Sequence, residues 1–300
     1  MCAEQKKNPL NILLGIDGSE HSQAAVELLC DLPAPSQSKV LALAVFSPRQ
    51  LEKHAMLQDA LNQTQSRLVA TGWQIETELK AGNPAETLLE YAELKKSDMI
   101  VIGAIGLRAT LGILLGGVAQ QIVEYGRWPV LVVRSPYLGL KKVLLATDGS
   151  QYSQIACNFF ASFPWPEATA FHLIHVLAPV TPATMAASAM IGGAEPIPAF
   201  PAFPTSAEAT AWQKEEEEKG QAILDQSLKT LQENGLQARC KLMRGDAATE
   251  IIAYARHNQI DLIISGSRGL STMAGWMLGS VSRKLIHYSA CSVLVVRGLK

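Results

Sequence analysis

Short apolar runs alternate along the chain with longer stretches in which apolar residues recur every three or four positions. The runs predict strands, and the stretches, with their helical period, predict helices. In the first part of the chain, strands are expected near 11–16, 40–46, 73–79, 98–103 and 129–133, and helices near 20–30, 50–71, 84–96 and 117–126. Runs such as MIVIG and LIISG are almost wholly apolar, which is typical of parallel strands buried on both faces. The pattern predicts a five-stranded, doubly wound, Rossmann-like α/β sandwich.

This pattern occurs twice, because the chain contains an internal repeat. The segment NILLGIDGSEHSQAA, from Asn11, reappears as KVLLATDGSQYSQIA, from Lys142, and WPVLVVR reappears as CSVLVVR. The offset between the copies grows from 131 to 163 residues, so the second copy carries a net insertion of 32 residues. We predict two tandem domains, residues 9–134 and 141–297, joined by the turn-rich linker SPYLGL.

The insertion falls in residues 178–206, which are rich in Pro and Ala and almost free of charge. No hydrophobic period runs through this segment, so an irregular loop is expected, with a short helix allowed over 183–191. It follows the second strand of the second domain, beside the expected ligand-binding edge of the sheet. Three interpretations stay open: a disordered spacer, a lid, and a stretch that binds a partner protein.

Composition excludes several classes of function. The 300 residues carry a net charge of −1, so neither nucleic acid nor an anionic membrane is an expected partner. The opening segment MCAEQKKNPL has no apolar signal core, and no apolar run is long enough to predict a membrane-spanning helix. The five cysteines show neither a C-x-x-C pair nor zinc-ligand spacing, so no metal site is expected. These features favour a cytoplasmic protein.

Candidate chemistry lies where the predicted strands end, which is where ligands bind to sheets of this kind. The tripeptide Asp-Gly-Ser follows the first strand of each domain, with Asp17 in one and Asp148 in the other. Its serine suits the N-cap of the next helix, and this explains the serine without a ligand. The aspartate precedes the cap by two positions. Its carboxylate is therefore expected to face the crevice and to accept from a sugar hydroxyl or a base amino group.

The second strand of each domain ends at a valine, Val45 or Val176. Taken alone, these are core residues. Their position adds a second interpretation, because backbone N–H and C=O groups at a strand end can recognise the edge of a base.

A glycine-rich segment follows the fourth strand of the second domain, with the spacing G-x-x-G, nine residues, then G-S. Glycine lets the backbone approach a ligand closely, and the free N–H groups of the following helix favour phosphate. A tight turn without a ligand is the alternative. The residues expected at this phosphate site are Gly266, Arg268, Gly269, Gly279, Ser280, Val281 and Ser282.

These motifs resemble those of the universal stress protein family, in a tandem form with two family domains. The resemblance covers nearly the whole chain apart from residues 178–206, and the signature G-x-x-G-x9-G-[ST] is complete in the second domain. It implies bound ATP, with or without Mg²⁺. The glycine segment would hold the ribose and phosphates, and Asp148 and the backbone of Val176 would surround the adenine. It also implies that the last strands of the two domains pair as an intramolecular pseudo-dimer, with a homodimer of chains left open.

The first domain departs from the family pattern. Gly117 stands where the signature has Ser or Thr, Ala104-Ile105 replaces a polar pair, and Ala119 replaces a serine. Each lost hydrogen bond to a charged group costs about 1.5–3 kcal/mol. This domain is therefore expected to bind nucleotide weakly or not at all, with Arg108 as a partial substitute. Its weaker candidate site comprises Asp17, Val45, Gly103, Gly106, Gly116 and Gly117.

The expected function is that of an ATP-binding stress-response or regulatory protein. No Walker A motif, G-x-S-x-G elbow or H-E-x-x-H motif is present, and no general base adjoins the expected phosphates. His172 and His175 lie in a predicted strand and are interpreted as core residues. Two alternatives remain, a slow ATPase and a scaffold or chaperone-like protein that binds no nucleotide.

Overall fold

The computed structural model describes residues 9–47, 52–106, 115–180, 206–270 and 278–298. The strands of its first half are β1 (Asn11–Ile16), β2 (Lys39–Phe46), β3 (Gln74–Ala81), β4 (Met99–Gly103) and β5 (Val130–Val133). The helices between them are α1 (Glu20–Asp31), α2 (Lys53–Ala70), α3 (Pro84–Leu94) and α4 (Gly117–Tyr125). Strands and helices alternate as the apolar pattern predicted.

The second half repeats this order. Its strands are β6 (Lys142–Ala146), β7 (Ala170–Leu177), β8 (Ala238–Arg244), β9 (Leu262–Gly266) and β10 (Ser292–Val296). Its helices are α5 (Gln151–Ser162), α6 (Ser206–Glu233), α7 (Ala247–Asn258) and α8 (Ser280–Tyr288). Residues 181–205 carry most of the predicted insertion, with its allowed short helix and its three interpretations, and lie outside the described residues.

The described strands form one continuous sheet in the order β3-β2-β1-β4-β5-β10-β9-β6-β7-β8. Within each half, neighbouring strands are parallel. The halves meet at β5 and β10, which pair antiparallel, with Leu131 opposite Leu294 and Val132 opposite Val293. The predicted pairing of the last strands is therefore confirmed, and it relates the two halves as a pseudo-dimer within one chain.

Helices cover both faces of this sheet, because its strands are apolar on both sides. One core lies between the sheet and α1, α2, α5 and α6. The other lies between the sheet and α3, α4, α7 and α8. Residues of both halves belong to each core, so the apolar packing continues without a break across the β5–β10 pair.

The start of β3 differs from the sequence-based prediction, which placed Trp73 in the strand. Its backbone N–H donates to the Leu68 carbonyl at 3.1 Å, and its indole Nε1–H donates to the Leu29 carbonyl at 2.9 Å. Gly72 precedes it with a φ of 88°, a conformation that suits glycine. The buried Trp73 therefore belongs to the turn that ends α2. Its apolar side chain had placed it in the predicted strand.

Candidate functional site

Each half of the sheet reverses its strand order at one place, between β1 and β4 and between β6 and β9. At such a reversal the helices leave in opposite directions and open a crevice at the carboxyl ends of the strands. A cavity lies at each of these two places. The sequence motifs therefore meet at the position where the fold provides space.

The cavity of the second domain has a volume of about 240 Å³. All nine residues predicted from the sequence line it, and their side chains and backbone come from the ends of β6, β7 and β9 and from the start of α8. They are Asp148, Val176, Gly266, Arg268, Gly269, Gly279, Ser280, Val281 and Ser282.

The cavity of the first domain is larger, at about 450 Å³. Its lining includes several apolar side chains, among them Leu43, Leu57 and Leu88. The six predicted residues of the weaker site all line it, namely Asp17, Val45, Gly103, Gly106, Gly116 and Gly117. The candidate substitute Arg108 lies outside the described residues.

The Asp-Gly-Ser turn is built in the same way in both domains. Ser150 Oγ accepts from the Ser153 N–H at 3.2 Å and caps α5, as Ser19 Oγ accepts from the Ser22 N–H and caps α1. Asp148 Oδ1 accepts from the Ser150 N–H at 3.0 Å. The predicted capping by the serine is confirmed, and one oxygen of each aspartate helps to hold the same turn.

The first two glycines of the segment after β9 are packed against protein. A Cβ at Gly266 would lie 2.7 Å from the backbone C and O of Tyr152 in α5. A Cβ at Gly269 would overlap Asp148 Oδ2. These glycines let α5 and the aspartate pack closely against the segment. Contacts within the protein therefore explain both glycines without a bound ligand.

The start of α8 offers backbone donors to the cavity. Its N-cap is Gly279, and no side chain in the described part of the chain caps it. By contrast, the N-caps of α5 and α7 are Ser150 and Asp246, whose side chains accept from helix N–H groups. The first N–H groups of a helix have no partner within the helix, and together with the helix dipole they attract anions. The cavity therefore has one positive, donor-rich wall at Ser280.

Arg268 is held at the edge of the second-domain cavity by Tyr152. Its Nη1 donates to the Tyr152 hydroxyl at 3.0 Å, and its guanidinium lies over the Tyr152 ring, 5.3 Å from the centroid. The phenol oxygen and the aromatic face hold the guanidinium in place at the edge of the cavity. This cation adds to the positive potential of the α8 start.

Ser282 lines the cavity and also makes a structural contact that the sequence did not predict. It is buried, and its hydroxyl donates to the Gly266 carbonyl at 2.7 Å. This hydrogen bond ties α8 to the end of β9. The hydroxyl proton is already used, so Ser282 contributes to the shape of the site, and its replacement by Ala119 in the first domain removes a structural tie.

The two histidines of β7 are satisfied core residues, as predicted. His172 Nδ1 lies 2.8 Å from the Tyr254 hydroxyl, and His175 Nδ1 lies 2.8 Å from the Thr147 carbonyl. Burial lowers the pKa of His172 below its usual range, and the positive charges of Arg239 and Lys142 lower it further. Both imidazoles are fixed by neighbours, and neither lines the cavity of the second domain.

Sequence reasoning missed one wall of this cavity. Thr147, Ile174, Ala247 and Ile251 also line it. Ala247 begins α7, and its counterpart Pro84 in the first domain lines the other cavity. A signal was present, because the matching segments GNPAET and GDAATE place a helix start after the third strand of each domain.

In the first domain, the helix start is similar but lacks the hydroxyl. Helix α4 has Gly116 as its N-cap with no capping side chain among the described residues. Among the residues that the structure describes, a Cβ at Gly117 would meet no atom within 4 Å. The position that corresponds to Ser280 therefore has room for a side chain and does not use it.

The described residues also bear on metal binding and membrane insertion. Within the described ranges, no group of three or more His, Cys, Asp or Glu side chains is placed to hold a metal ion. None of the helices there is both long and apolar enough to span a bilayer.

Comparisons with known proteins find relatives along the whole chain. A family model described as the universal stress protein family matches residues 10–134 and 139–297. A universal stress protein of Mycolicibacterium smegmatis is 26% identical over 323 residues, which cover 98% of this chain and 99% of the relative. The crystal structure of a universal stress protein from Archaeoglobus fulgidus covers 98% of this chain and 99% of its own, with a TM-score of 0.63 and 20% identity. A universal stress protein in complex with cAMP covers 42% of this chain and 97% of its own, with 29% identity and a TM-score of 0.36.

Proposed function

This chain belongs to the universal stress protein family, and we propose that it binds an adenine nucleotide, ATP, in the cavity of its second domain. The observation that carries the proposal is the meeting of three separate sequence motifs, with nine predicted residues, around one cavity. One side of that cavity is a helix start without a side-chain cap in the described residues. An acceptor, a cation and free backbone donors are the groups that a nucleoside phosphate needs.

Each group has a proposed role. Asp148 accepts from the ribose hydroxyls or the adenine amino group, and the end of β7 at Val176 lies against the base. The N–H groups at Ser280 and Val281, the Ser280 hydroxyl and Arg268 hold the phosphates. A cavity of about 240 Å³ is smaller than the usual 300–1,000 Å³ of a whole small-molecule site. The nucleoside therefore fills the cavity, and the phosphates lie along the α8 start at its mouth.

The nucleotide is proposed to act as a signal, with no turnover required. Among the described residues that line the cavity there is no histidine and a single carboxylate, Asp148, which accepts from the Ser150 N–H. A general base for hydrolysis must lie within hydrogen-bond reach of the attacking water. The slow ATPase and the scaffold without nucleotide remain as outcomes that the experiment below distinguishes.

The first domain is proposed to bind nucleotide weakly or not at all. Gly117 lacks the hydroxyl of Ser280, and Ile105 stands where Arg268 supplies a cation. The two domains are proposed to extend over residues 9–134 and 141–297. A cytoplasmic location is also part of the proposal, since the four cysteines in the described ranges are free thiols.

The test is the nucleotide content of the purified protein together with calorimetric titration of ATP and Mg²⁺. We expect about one ATP per chain. Gly279→Asp, which places a carboxylate at the α8 start, should weaken binding at least about tenfold, or roughly 1.4 kcal/mol. The matched control, Gly116→Asp, makes the same change at the start of α4 and should leave the affinity unchanged.

Each other outcome has a definite meaning. No nucleotide and no heat would overturn the proposal in favour of a scaffold. Two ATP per chain would show that the first domain also binds. Steady release of phosphate by the wild-type protein, abolished by Gly279→Asp, would favour the ATPase.

A further inference from the structure

Two arginines cross the boundary between the domains in a reciprocal way. Arg134 follows β5 of the first domain, and its Nη2 donates to the Ile286 carbonyl of α8 at 2.7 Å. Arg297 follows β10 of the second domain, and its Nη2 donates to the Val123 carbonyl of α4 at 2.6 Å. The two arginines, and likewise the two acceptors, are related by the repeat offset of 163 residues. The contacts are therefore the same contact made twice.

The acceptors are carbonyl groups at helix ends. Ile286 lies in the last turn of α8, and Val123 lies in the last turn of α4. The last four carbonyls of a helix have no partner within the helix, and they carry the negative end of its dipole. A guanidinium there stabilises the helix end by both hydrogen bonding and charge. Arg297 also reaches the Glu124 carbonyl at 3.3 Å.

These two helices are the ones whose first residues line the two cavities. Helix α8 begins at Ser280 and helix α4 begins at Gly117. Both have only nine residues, or about 14 Å at 1.5 Å per residue. A helix this short moves as one piece, so a contact at its end fixes the position of its start.

Arg297 also interacts electrostatically with the candidate site of its own domain, through Arg268. The charge of Arg268 lowers the pKa of Arg297, in addition to the larger effect of burial, and together they bring it to about 10. Two cations that repel each other are stabilised when an anion binds beside one of them. Arg297 is fully charged at neutral pH, so a phosphate near Arg268 would change the repulsion that Arg297 feels, and not its protonation, at the group that holds the end of α4.

We propose that Arg134 and Arg297 are positioning residues that couple the two cavities, because each fixes the helix that begins the cavity of the other domain. The coupling rests on the proposed nucleotide site, whereas the positioning can be measured without any ligand. A ligand in one cavity then affects the position of the helix start at the other cavity, through a single arginine and a rigid nine-residue helix.

The ligand-free experiment is hydrogen–deuterium exchange on the full chain. In Arg134→Met, backbone amides of α8 should exchange faster, including Arg283 in its first turn, while α4 keeps the wild-type rate. Arg297→Met should show the reverse. Arg134→Lys should restore most of the protection of α8, because a cation at the helix end is retained. Equal exchange in both helices, or a change limited to the last turn, would overturn the positioning role.

The ligand experiment separates this proposal from the proposed function. Arg134→Met should weaken ATP binding roughly threefold to tenfold and change the affinity for adenosine less, because the proposed hydrogen bonds to the start of α8 are made by the phosphates. Equal losses for ATP and adenosine would overturn the coupling. If the wild-type protein binds no ATP, the proposed function fails, and the exchange pattern of the two variants still decides whether the arginines position the helices.

Discussion

At the scale of single residues, Gly269 is a position with no room for a side chain. A Cβ at this position would overlap the Asp148 carboxylate. Gly269→Ala must displace that carboxylate or the segment, and both line the cavity. We expect the ATP affinity to fall at least about tenfold, or roughly 1.4 kcal/mol, in calorimetric titration.

The first domain supplies the matched control for this change. A Cβ at Gly106 would lie 2.5 Å from Asp17 Oδ2, which is the equivalent strain in the other cavity. Gly106→Ala should leave the ATP affinity of the chain unchanged. If the two variants lose affinity equally, the effect is a general loss of stability, and the assignment of ATP to the second domain is wrong.

A second residue-scale prediction concerns the missing hydroxyl of the first domain. No described atom lies within 4 Å of a Cβ at Gly117, and Gly117→Ser would recreate the Ser280 donor at the start of α4. In a chain whose second site is disabled by Gly269→Ala, we expect ATP affinity at the first site to rise roughly tenfold or more, as one hydrogen bond to a charged group allows.

Calorimetry on that double variant measures the gain, and Gly117→Ala is its control. Alanine fills the same space and favours the helix without a hydroxyl, so it should not raise the affinity. A gain with alanine would mean that helix stability, rather than the hydroxyl, limits the first site.

The residues that line the site could be predicted because their motifs occur at strand ends in both copies. The roles of individual residues could not. Ser282 was expected to donate to phosphate, yet its hydroxyl donates to the Gly266 carbonyl. Gly266 was expected to admit a ligand, yet it admits α5. Sequence spacing predicts which residues lie near each other. The partner of a single hydrogen bond depends on side-chain packing, which the sequence pattern does not predict.

At the scale of elements, the pairing of β7 with α7 contains a titratable contact. Burial and nearby cations lower the pKa of His172, which is bonded to Tyr254 of α7. The unfolded chain then binds a proton more readily than the folded one, so stability falls as the pH falls through the usual histidine range, about 6.5, towards the lowered value. We expect the free energy of unfolding in urea to be smaller at pH 5.5 than at pH 7.5.

The contribution of this one contact can be isolated. His172→Gln should reduce the difference in unfolding free energy between the two pH values. His257→Gln, which changes an exposed histidine of α7, serves as the control and should keep the wild-type difference. A pH dependence that is the same in all three proteins would contradict the assignment to His172.

Element types were predictable for a simple reason. Parallel strands with helices on both faces are uniformly apolar, and this pattern differs clearly from the helical period. Element boundaries were less predictable. Trp73, for example, is apolar like a strand residue but closes a turn through its indole. The start of α7 was not predicted as part of the site. It contributes through its backbone position, and the residue types there do not indicate this.

At the scale of the whole molecule, both apolar cores extend across the β5–β10 pair. Domains that share their cores unfold together. We therefore expect one urea transition, coincident by circular dichroism and tryptophan fluorescence. Leu131→Asp, which buries a charge in the central pair, should lower the midpoint strongly, by several kcal/mol of stability.

A control for this experiment lies on the surface. Val69 of α2 is 57% exposed, so Val69→Asp should change the midpoint little. Two separated transitions in the wild-type protein would show that the domains unfold independently and that the shared cores contribute little to their association.

The antiparallel pairing of β5 with β10 also determines how the molecule faces its surroundings. All strands of one half run opposite to those of the other, so the carboxyl ends of the two sets, and with them the two cavities, lie on opposite edges of the sheet. The two cavities therefore open in opposite directions. A molecule bound at one cavity would therefore leave the other cavity accessible, and one chain presents the two sites in a fixed one-to-one ratio.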